Sequence, residues 1–474
     1  MKQSEADLLK RIIAPAVVEK DLPFDVSRLE KIIKEKIPAT LEKNAPPNFP
    51  ELYFDFEYVY SKFYDFLLFN QLIGKKVVAL GGGFSSGKSS FLNNFLGKIN
   101  ILPTAINPST SVPTYVISGD AEIAGAVNAF SAKIAMEIAE VRAVAHGFGE
   151  EENPSDSVTL GHLLRSIFVA TPNQPYANIA FLDTPGYSKP DSENYSAKTD
   201  EKIARSQLNA GDYILWFISA EGGTIGNDDL NFLASLDKTI PKLIILNKTD
   251  KVAGAENLSA MRQKVAAALD GKGIVHEDIL YYSCSRRKNI ACDSSKIAEI
   301  FSRLNARRGE SDFAYSFKKL FVACKNYYDD GLTSAKRQLS RLNHAMTFVG
   351  DNADVNECLN GLIADTKLAI KNFDELRQNL RDLQQEFFTE IKFAADRVKI
   401  KMPEPSEIEL LEDRISDPAS LVKKMLEREN RATDGNFLAK MQRELQEVNP
   451  ALNQSPGGTG YKNVLLDAMK EGLR

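Results

Sequence analysis

Apolar positions along the chain change their period three times. Leu8, Leu9, Ile12 and Ile13, then Leu29, Ile32 and Ile33, recur at helical spacing and predict one or two helices within residues 1–37. Four prolines within 38–50 predict a linker or turn. Residues 53–69 carry nine aromatics among acidic residues: Tyr53, Phe54, Phe56, Tyr58, Tyr60, Phe63, Tyr64, Phe66 and Phe69. Asp55, Glu57 and Asp65 would be repelled by anionic lipid and no basic face is present, so a packed core helix is expected here. Short apolar runs at 76–80, 177–182, 243–246 and 279–282 then predict strands. Helices are expected near 126–145 and 160–169.

Beyond about residue 308 the strand signals stop. Phe317, Leu320, Cys324, Tyr328, Leu332 and Leu339 step by three, four and seven, and Gly350-Asp351-Asn352 breaks the pattern. A second series from Leu359 to Val398 predicts a helix roughly 65 Å long, with the preceding helix as its antiparallel partner. Shorter helices are expected near 407–413, 418–430 and 436–447, a loop at 454–460, and a closing helix at the C-terminus.

The chemistry sits at the ends of the strand-like runs. Gly82-Gly83-Phe84-Ser85-Ser86-Gly87-Lys88-Ser89 follows one run and opens a helix through Ser90, matching the phosphate-binding pattern G-x-x-x-x-G-K-[ST]. Its glycines let backbone N–H groups converge on phosphate oxygens, and the helix N-terminus adds positive potential. Lys88 is expected on the β- and γ-phosphates and Ser89 on Mg²⁺. Asp183-Thr184-Pro185-Gly186 places a carboxylate for Mg²⁺ and a backbone N–H for the γ-phosphate. Asn247-Lys248-Thr249-Asp250 places a carboxylate against the paired donors of guanine, which adenine lacks. Ser283-Cys284-Ser285 offers backbone donation to the guanine O6. Four such segments in this order, each after an apolar run, read as a GTP site. Thr110, in a proline-bracketed loop, is the expected switch residue on Mg²⁺ and the attacking water, ahead of Thr104 and Thr114.

Here the chain resembles the dynamin-like large GTPases, and their bacterial branch in particular. The matching stretches are 82–97, 102–114, Asp183-Thr184-Pro185-Gly186 and Asn247-Lys248-Thr249-Asp250, within roughly 76–290. The long stretch from Thr110 to Asp183 suits the enlarged G domain of that family. The resemblance implies an α/β GTPase domain, with a mostly parallel central sheet and helices on both faces. Helical segments on either side would form a neck or trunk bundle. The corresponding boundaries are 1–70, 71–308 and 309–474. It further implies GTP hydrolysis with Mg²⁺, and a monovalent cation (K⁺ or Na⁺) near Ser85. Self-association through the G domain and membrane remodelling are implied as well, alone or with a sister dynamin-like protein. Two departures stand out. Phe84 occupies the phosphate-loop position where animal dynamins resemble one another in having Gln, and Tyr187 follows the Asp-Thr-Pro-Gly segment. The alternative reading is therefore a slow GTP-binding scaffold that recruits a protein partner through its helical arms.

Composition narrows the partners. The net charge of −5 gives no reason to expect nucleic acid or anionic lipid as the main partner. No apolar run reaches the ~18 residues that span a bilayer, and the charged N-terminus is unlike a signal peptide. Cys284, Cys292, Cys324 and Cys358 show no paired spacing, which fits a reducing cytoplasm, while the resemblance implies a peripheral place at the inner face of the cell membrane.

Overall fold

A computed structural model describes residues 3–13, 22, 24–97, 101–102, 112–146, 163–186, 196–252, 254–285, 291–309, 313–350 and 352–410. Thr110, Tyr187, the helices expected at 418–430 and 436–447 and the loop at 454–460 lie outside these residues. Helix α1 (Gln3–Ile12) buries Leu8 and Ile12 in the apolar core of the sheet described below. Asn128 donates to the Ile12 carbonyl at 2.8 Å and Arg11 to the Ala135 carbonyl at 2.6 Å, so α1 sits with the sheet and not with the long helices.

The break expected at Pro38 does not occur. Helix α2 continues from Ser27–Lys31 through a π turn, Ile32–Lys36, into Ile37–Leu41. A proline ring clashes with the carbonyl four residues earlier. The wider π turn just ahead of Pro38 gives the ring room, and the Ile33 carbonyl of that turn accepts from the Tyr53 hydroxyl at 2.7 Å. The chain turns after Leu41. Pro50, in the first turn of α3 (Phe49–Leu68), costs no hydrogen bond there.

The aromatic stripe of α3 is packed, as its acidic interleaving predicts. The Phe56 ring meets Phe317 at 5.2 Å and Phe387 at 5.1 Å, and Phe63 meets Phe313 at 5.2 Å. Such ring pairs add ~0.5–1.5 kcal/mol each beyond burial. The opposite face of α3 is polar, and its contacts run along one helix of the GTPase-like region.

That region is a nine-stranded sheet in the order β4-β3-β5-β2-β6-β1-β7-β8-β9. Strand β1 (Lys76–Gly82) leads into α4 (Lys88–Phe95). Next come β2 (Thr114–Ser118), β3 (Ile123–Asn128), β4 (Lys133–Met136), α5 (Ile138–His146) and β5 (Leu164–Thr171). Strand β6 (Ile179–Asp183), α6 (Ser196–Asn209), β7 (Tyr213–Ser219) and α7 (Asn227–Ser235) follow. Strand β8 (Lys242–Asn247), α8 (Ala255–Gly271), β9 (Ile279–Tyr281) and α9 (Ser294–Asn305) complete it. Strands β6, β1, β7, β8 and β9 are parallel, while β2 runs against β6 and β3 and β4 continue an antiparallel edge.

Two helical expectations are corrected on that edge. The region near 126–145 is mostly the β3–β4 hairpin, with only α5 helical, and 160–169 contains strand β5 in place of a helix. β5 is paired on both sides and buried along most of its length, so its apolar run carries no alternation to separate strand from helix. In the hairpin, alanines read as helix formers. Asn128 decides otherwise, because its side-chain oxygen accepts from Phe130 N at 3.0 Å and Ala132 N at 2.8 Å and closes the turn.

The long helices are α10 (Phe313–Met346, 34 residues) and α11 (Ala353–Arg397, 45 residues), the latter capped by Asn352, which accepts from Val355 N at 3.2 Å. They form an antiparallel hairpin. A Cβ at Gly331 would lie 2.5 Å from the Phe373 ring, so a larger residue there would require that ring to shift. Helix α2 lies along α11 through Lys36–Glu386 at 2.5 Å and Arg28–Glu390 at 3.9 Å.

The polar face of α3 meets α6. Asp55 accepts from Ser206 Oγ at 2.8 Å, Glu51 faces Lys202 at 3.8 Å, and Lys62 donates to the Ala210 carbonyl at the end of α6. Nearer β1, the buried Asp65 pairs with Arg165 of β5 at 3.4 Å. Burial raises the Asp65 carboxyl above its usual range, and Arg165 opposes that rise. No helix among the described residues is long and apolar enough to cross a membrane.

Candidate nucleotide site

All the described segments singled out by the sequence meet at the C-terminal ends of β1, β6, β8 and β9, the end of a parallel sheet where ligands bind. Between β1 and α4 the chain turns through Gly82 at φ +139° and Gly87 at φ +87°. A side chain at Gly82 would strike the Phe217 carbonyl at 2.5 Å, and one at Gly87 would strike Asn247 Nδ2 at 2.4 Å. Ser85 also takes a left-handed φ of 55° although it is not glycine, a conformation common where backbone must wrap a ligand. Gly83, Phe84 and Ser86 complete the loop, and Ser86 Oγ is buried without a hydrogen-bond partner among the described residues.

Lys88, the first residue of α4, is buried and donates to the Gly82 and Gly83 carbonyls at 3.1 and 3.3 Å. Burial lowers its ammonium to about 8, while Asp183 and Asp229 oppose that shift. Ser89 Oγ donates to Asp183 Oδ2 at 2.6 Å. The other carboxylate oxygen, Oδ1, is buried with no hydrogen-bond partner among the described residues, and burial raises Asp183 to about 6 against the pull of Ser89 and Lys88. A buried hydroxyl–carboxylate pair with one unpartnered oxygen fits a hydrated Mg²⁺, a hard cation that takes few protein ligands and keeps several waters. Gly186 passes the loop so closely that its Cβ would lie 3.1 Å from Phe84 Cα. Thr184 anchors this segment through Oγ1 to the Leu80 carbonyl at 2.5 Å.

The guanine segments are tied to the phosphate loop. Asn247 Nδ2 donates to the Ser86 carbonyl at 2.8 Å. Lys248, at φ 60°, projects outward to Glu221 at 2.6 Å. Asp250 Oδ1 accepts from Ser283 Oγ at 2.6 Å, which fixes the carboxylate while leaving its other oxygen for a base. Cys284 points its thiol at the Ser90 carbonyl, 3.6 Å away, and desolvation there pushes that thiol up to about 11. Three further residues support the site: Glu221 beside Lys248, Thr249, which donates to the Ala291 carbonyl at 2.7 Å, and Asn94, which donates to Tyr282 OH at 2.9 Å. Thr249 lies inside a motif and was legible there; Glu221 and Asn94 follow no spacing rule.

Residues 78–250 match the profile of the Dynamin family. These residues are a dynamin-family GTPase domain. The chain also shows 36% identity over 90 residues to GTPase Era of Aquifex aeolicus (strain VF5), covering 18% of this chain and 29% of Era. The chain thus spans under a third of the curated relative it matches. Among solved structures, a point variant of Aquifex aeolicus Era bound to GDP.AlF4- aligns over 50% of this chain and 58% of its own, at 18% identity and a TM-score of 0.29. A chain from an oligomerised bacterial dynamin pair, described as a mechanism for long-range sensing and tethering of membranes, aligns over 95% of this chain and 80% of its own, at 15% identity and a TM-score of 0.35.

Proposed function

We propose that this protein binds GTP with Mg²⁺ and hydrolyses it to GDP and phosphate, coupling nucleotide state to G-domain pairing and to movement of a helical trunk. The observation that carries the reading is the convergence of Lys88, Ser89, Asp183 and Asp250 at one sheet end, with Asp183 Oδ1 unpartnered beside Ser89. In this reading Gly82, Gly83, Phe84, Ser85, Ser86, Gly87 and Ser90 hold the phosphates by backbone and hydroxyl groups. Lys88 bridges the β- and γ-phosphates, Ser89 and Asp183 hold Mg²⁺ with Thr110, and Gly186 senses the γ-phosphate. Asn247, Lys248, Asp250, Ser283 and Cys284 hold the base. Residues 71–308 act as the G domain with α1 packed on its sheet, and the rest of 1–70 with 309–474 act as neck and trunk. Membrane remodelling from the inner face of the cell membrane completes the reading, on the strength of the dynamin-family match to the G domain.

Phe84 and Tyr187 stand where related enzymes have water-orienting amides, so neither of these two positions supplies an amide to place the attacking water. Pairing of two G domains across the nucleotide, with a monovalent cation at Ser85 neutralising charge, supplies the missing stabilisation. Steady-state hydrolysis from nanomolar to tens of micromolar protein, with K⁺ or Na⁺ and with or without liposomes, tests this. Specific activity should climb with concentration and with K⁺. A flat, slow profile under all these conditions would instead favour the GTP-binding scaffold.

A further inference from the structure

Two cysteines lie beside the segment expected to hold guanine. Strand β9 runs on through Tyr282 and Ser283 to Cys284, and the chain returns beside it at Ala291, Cys292 and Asp293. Backbone and side-chain contacts hold the two lengths together. Asp293 N donates to the Tyr281 carbonyl at 2.8 Å, and Tyr281 N donates to Asp293 Oδ2 at 2.9 Å. The buried Thr249 hydroxyl lies 3.2 Å from the Tyr282 carbonyl and 2.7 Å from the Ala291 carbonyl. Cys292 Sγ, which shares a hydrogen bond with Ser294 Oγ at 2.9 Å, consequently lies 4.0 Å from the carbonyl oxygen of Ser283, the residue bonded to Cys284.

That oxygen is roughly 2.8 Å from the Cys284 Cα by standard backbone dimensions, which puts the Cys292 sulfur within about 7 Å of it. Turning Cys284 about its Cα–Cβ bond swings its own sulfur away from the Ser90 carbonyl and toward Cys292. Each thiol feels the other. Desolvation raises the Cys284 thiol most, followed by the Asp250 carboxylate and then by Cys292. Both residues are exposed, so a small oxidant reaches them. A bond between them would pull on the peptide next to Ser283, whose Oγ donates to Asp250 at 2.6 Å and accepts from Ser285 N at 3.0 Å.

We propose that Cys284 and Cys292 are a peroxide-sensitive dithiol, and that the disulfide between them reversibly weakens guanine binding. The consequence for guanine rests on the function proposed above; the bond itself does not. The deprotonated sulfur of Cys292 attacks one oxygen of hydrogen peroxide, the O–O bond breaks, and the departing hydroxide takes up a proton to become water. The Cys284 sulfur then attacks the sulfenic sulfur of Cys292. Its S–O bond breaks, and the hydroxyl leaves as a second water with the Cys284 proton. Two thiols thereby give two electrons to one peroxide. Exposed disulfides are labile, so a thiol reductant restores both cysteines.

The test treats the reduced full chain with hydrogen peroxide, blocks remaining thiols, and maps disulfides by mass spectrometry of a tryptic digest. Trypsin cuts between the two cysteines at Arg286, Arg287 and Lys288, so the bond should appear as two joined peptides. GDP affinity, measured by calorimetry with Mg²⁺, should fall by roughly tenfold or more in the oxidised chain, the scale of losing a hydrogen bond to a charged group. Dithiothreitol should restore it. Cys292→Ser should bind GDP as the reduced wild type does, form no joined peptide and keep its affinity after peroxide. Cys358→Ser, on α11, should respond as wild type does. No joined peptide, a joined peptide without loss of affinity, or the same loss in Cys292→Ser overturns the proposal. Failure of the reduced wild type to bind GDP would overturn the guanine reading instead, and the joined peptide would still decide whether the dithiol exists.

Discussion

Asn247 donates its side-chain amide to the carbonyl of Ser86 at 2.8 Å, joining the guanine segment to the middle of the phosphate loop. The same amide lies where a side chain at residue 87 would have to go. Base recognition and phosphate recognition therefore rest on one rigid piece of backbone.

Asn247→Ala should loosen that piece without unfolding the sheet. Losing a buried hydrogen bond of this kind costs about 1–3 kcal/mol. GDP affinity measured by calorimetry should fall by roughly 5- to 100-fold. Unchanged affinity would mean that the loop holds its shape without the tie.

Asp250→Asn should lower GDP affinity by about 10²-fold or more and shift preference toward xanthosine diphosphate. The substituted amide presents a donor where guanine also donates. Ser283→Ala, which only frees the carboxylate that Ser283 Oγ holds at 2.6 Å, should cost less. Competition binding with ATP, GTP and XTP checks the order.

Lys88→Ala should remove most triphosphate affinity, and Thr110→Ala should chiefly remove turnover. Lys88 meets the phosphates in ground and transition states alike, whereas Thr110 acts once the switch closes on Mg²⁺ and water. Single-turnover hydrolysis beside equilibrium binding separates the two. Full hydrolysis in Thr110→Ala would move the switch role to Thr104 or Thr114.

Asp183→Asn should stabilise the nucleotide-free protein. The folded carboxyl, at about 6, lies above the ordinary ~3.9 of an unfolded aspartate, so the folded state binds a proton more readily. Ionisation in the folded state then costs up to about 3 kcal/mol above pH 6, and stability falls as pH rises between about 4 and 6. The gain from Asn should be full at pH 7.5 and vanish near pH 4 in urea titrations. With Mg²⁺ and GDP present the order should reverse, because the metal ligates the carboxylate.

Arg165→Met should be among the most damaging substitutions outside the nucleotide site. It strips Asp65, buried between α3 and β5, of its only ion-pair partner among the described residues. Breaking a buried pair on one side costs about 3–5 kcal/mol. Chemical denaturation at neutral pH measures it, and a loss below about 1 kcal/mol would show that Asp65 is already protonated.

The nucleotide site was the most legible part of the sequence. Lys88, Asp183 and Asp250 each belong to a short motif at or just after a recognisable apolar run, and their chemistry is fixed by position in that motif. The long hairpin was legible for a similar reason: Phe317, Phe321 and Phe387 sit on sustained helical spacings. The antiparallel edge was not. Ile167 and Val169 are buried in a strand paired on both sides, which leaves no polar phase to read, and the hairpin before it turns on the single side chain of Asn128. Pro38 misled because a π turn, invisible in composition, lets the helix pass through it. Leu8 and Ile12 show a helical period, but no period says which surface it will cover.

Asp55 and Phe56 are consecutive on α3 and look in different directions, one to Ser206 on α6 and the other to Phe317 and Phe387 in the long hairpin. Among the described residues, α6 is the first helix after the segment that carries Asp183 and Gly186. A tie-rod with its two sides fastened to different parts has little slack. A slide of α6 by even one helical turn, ~5.4 Å, must carry the hairpin with it or break the Asp55–Ser206 bond and the Glu51–Lys202 contact.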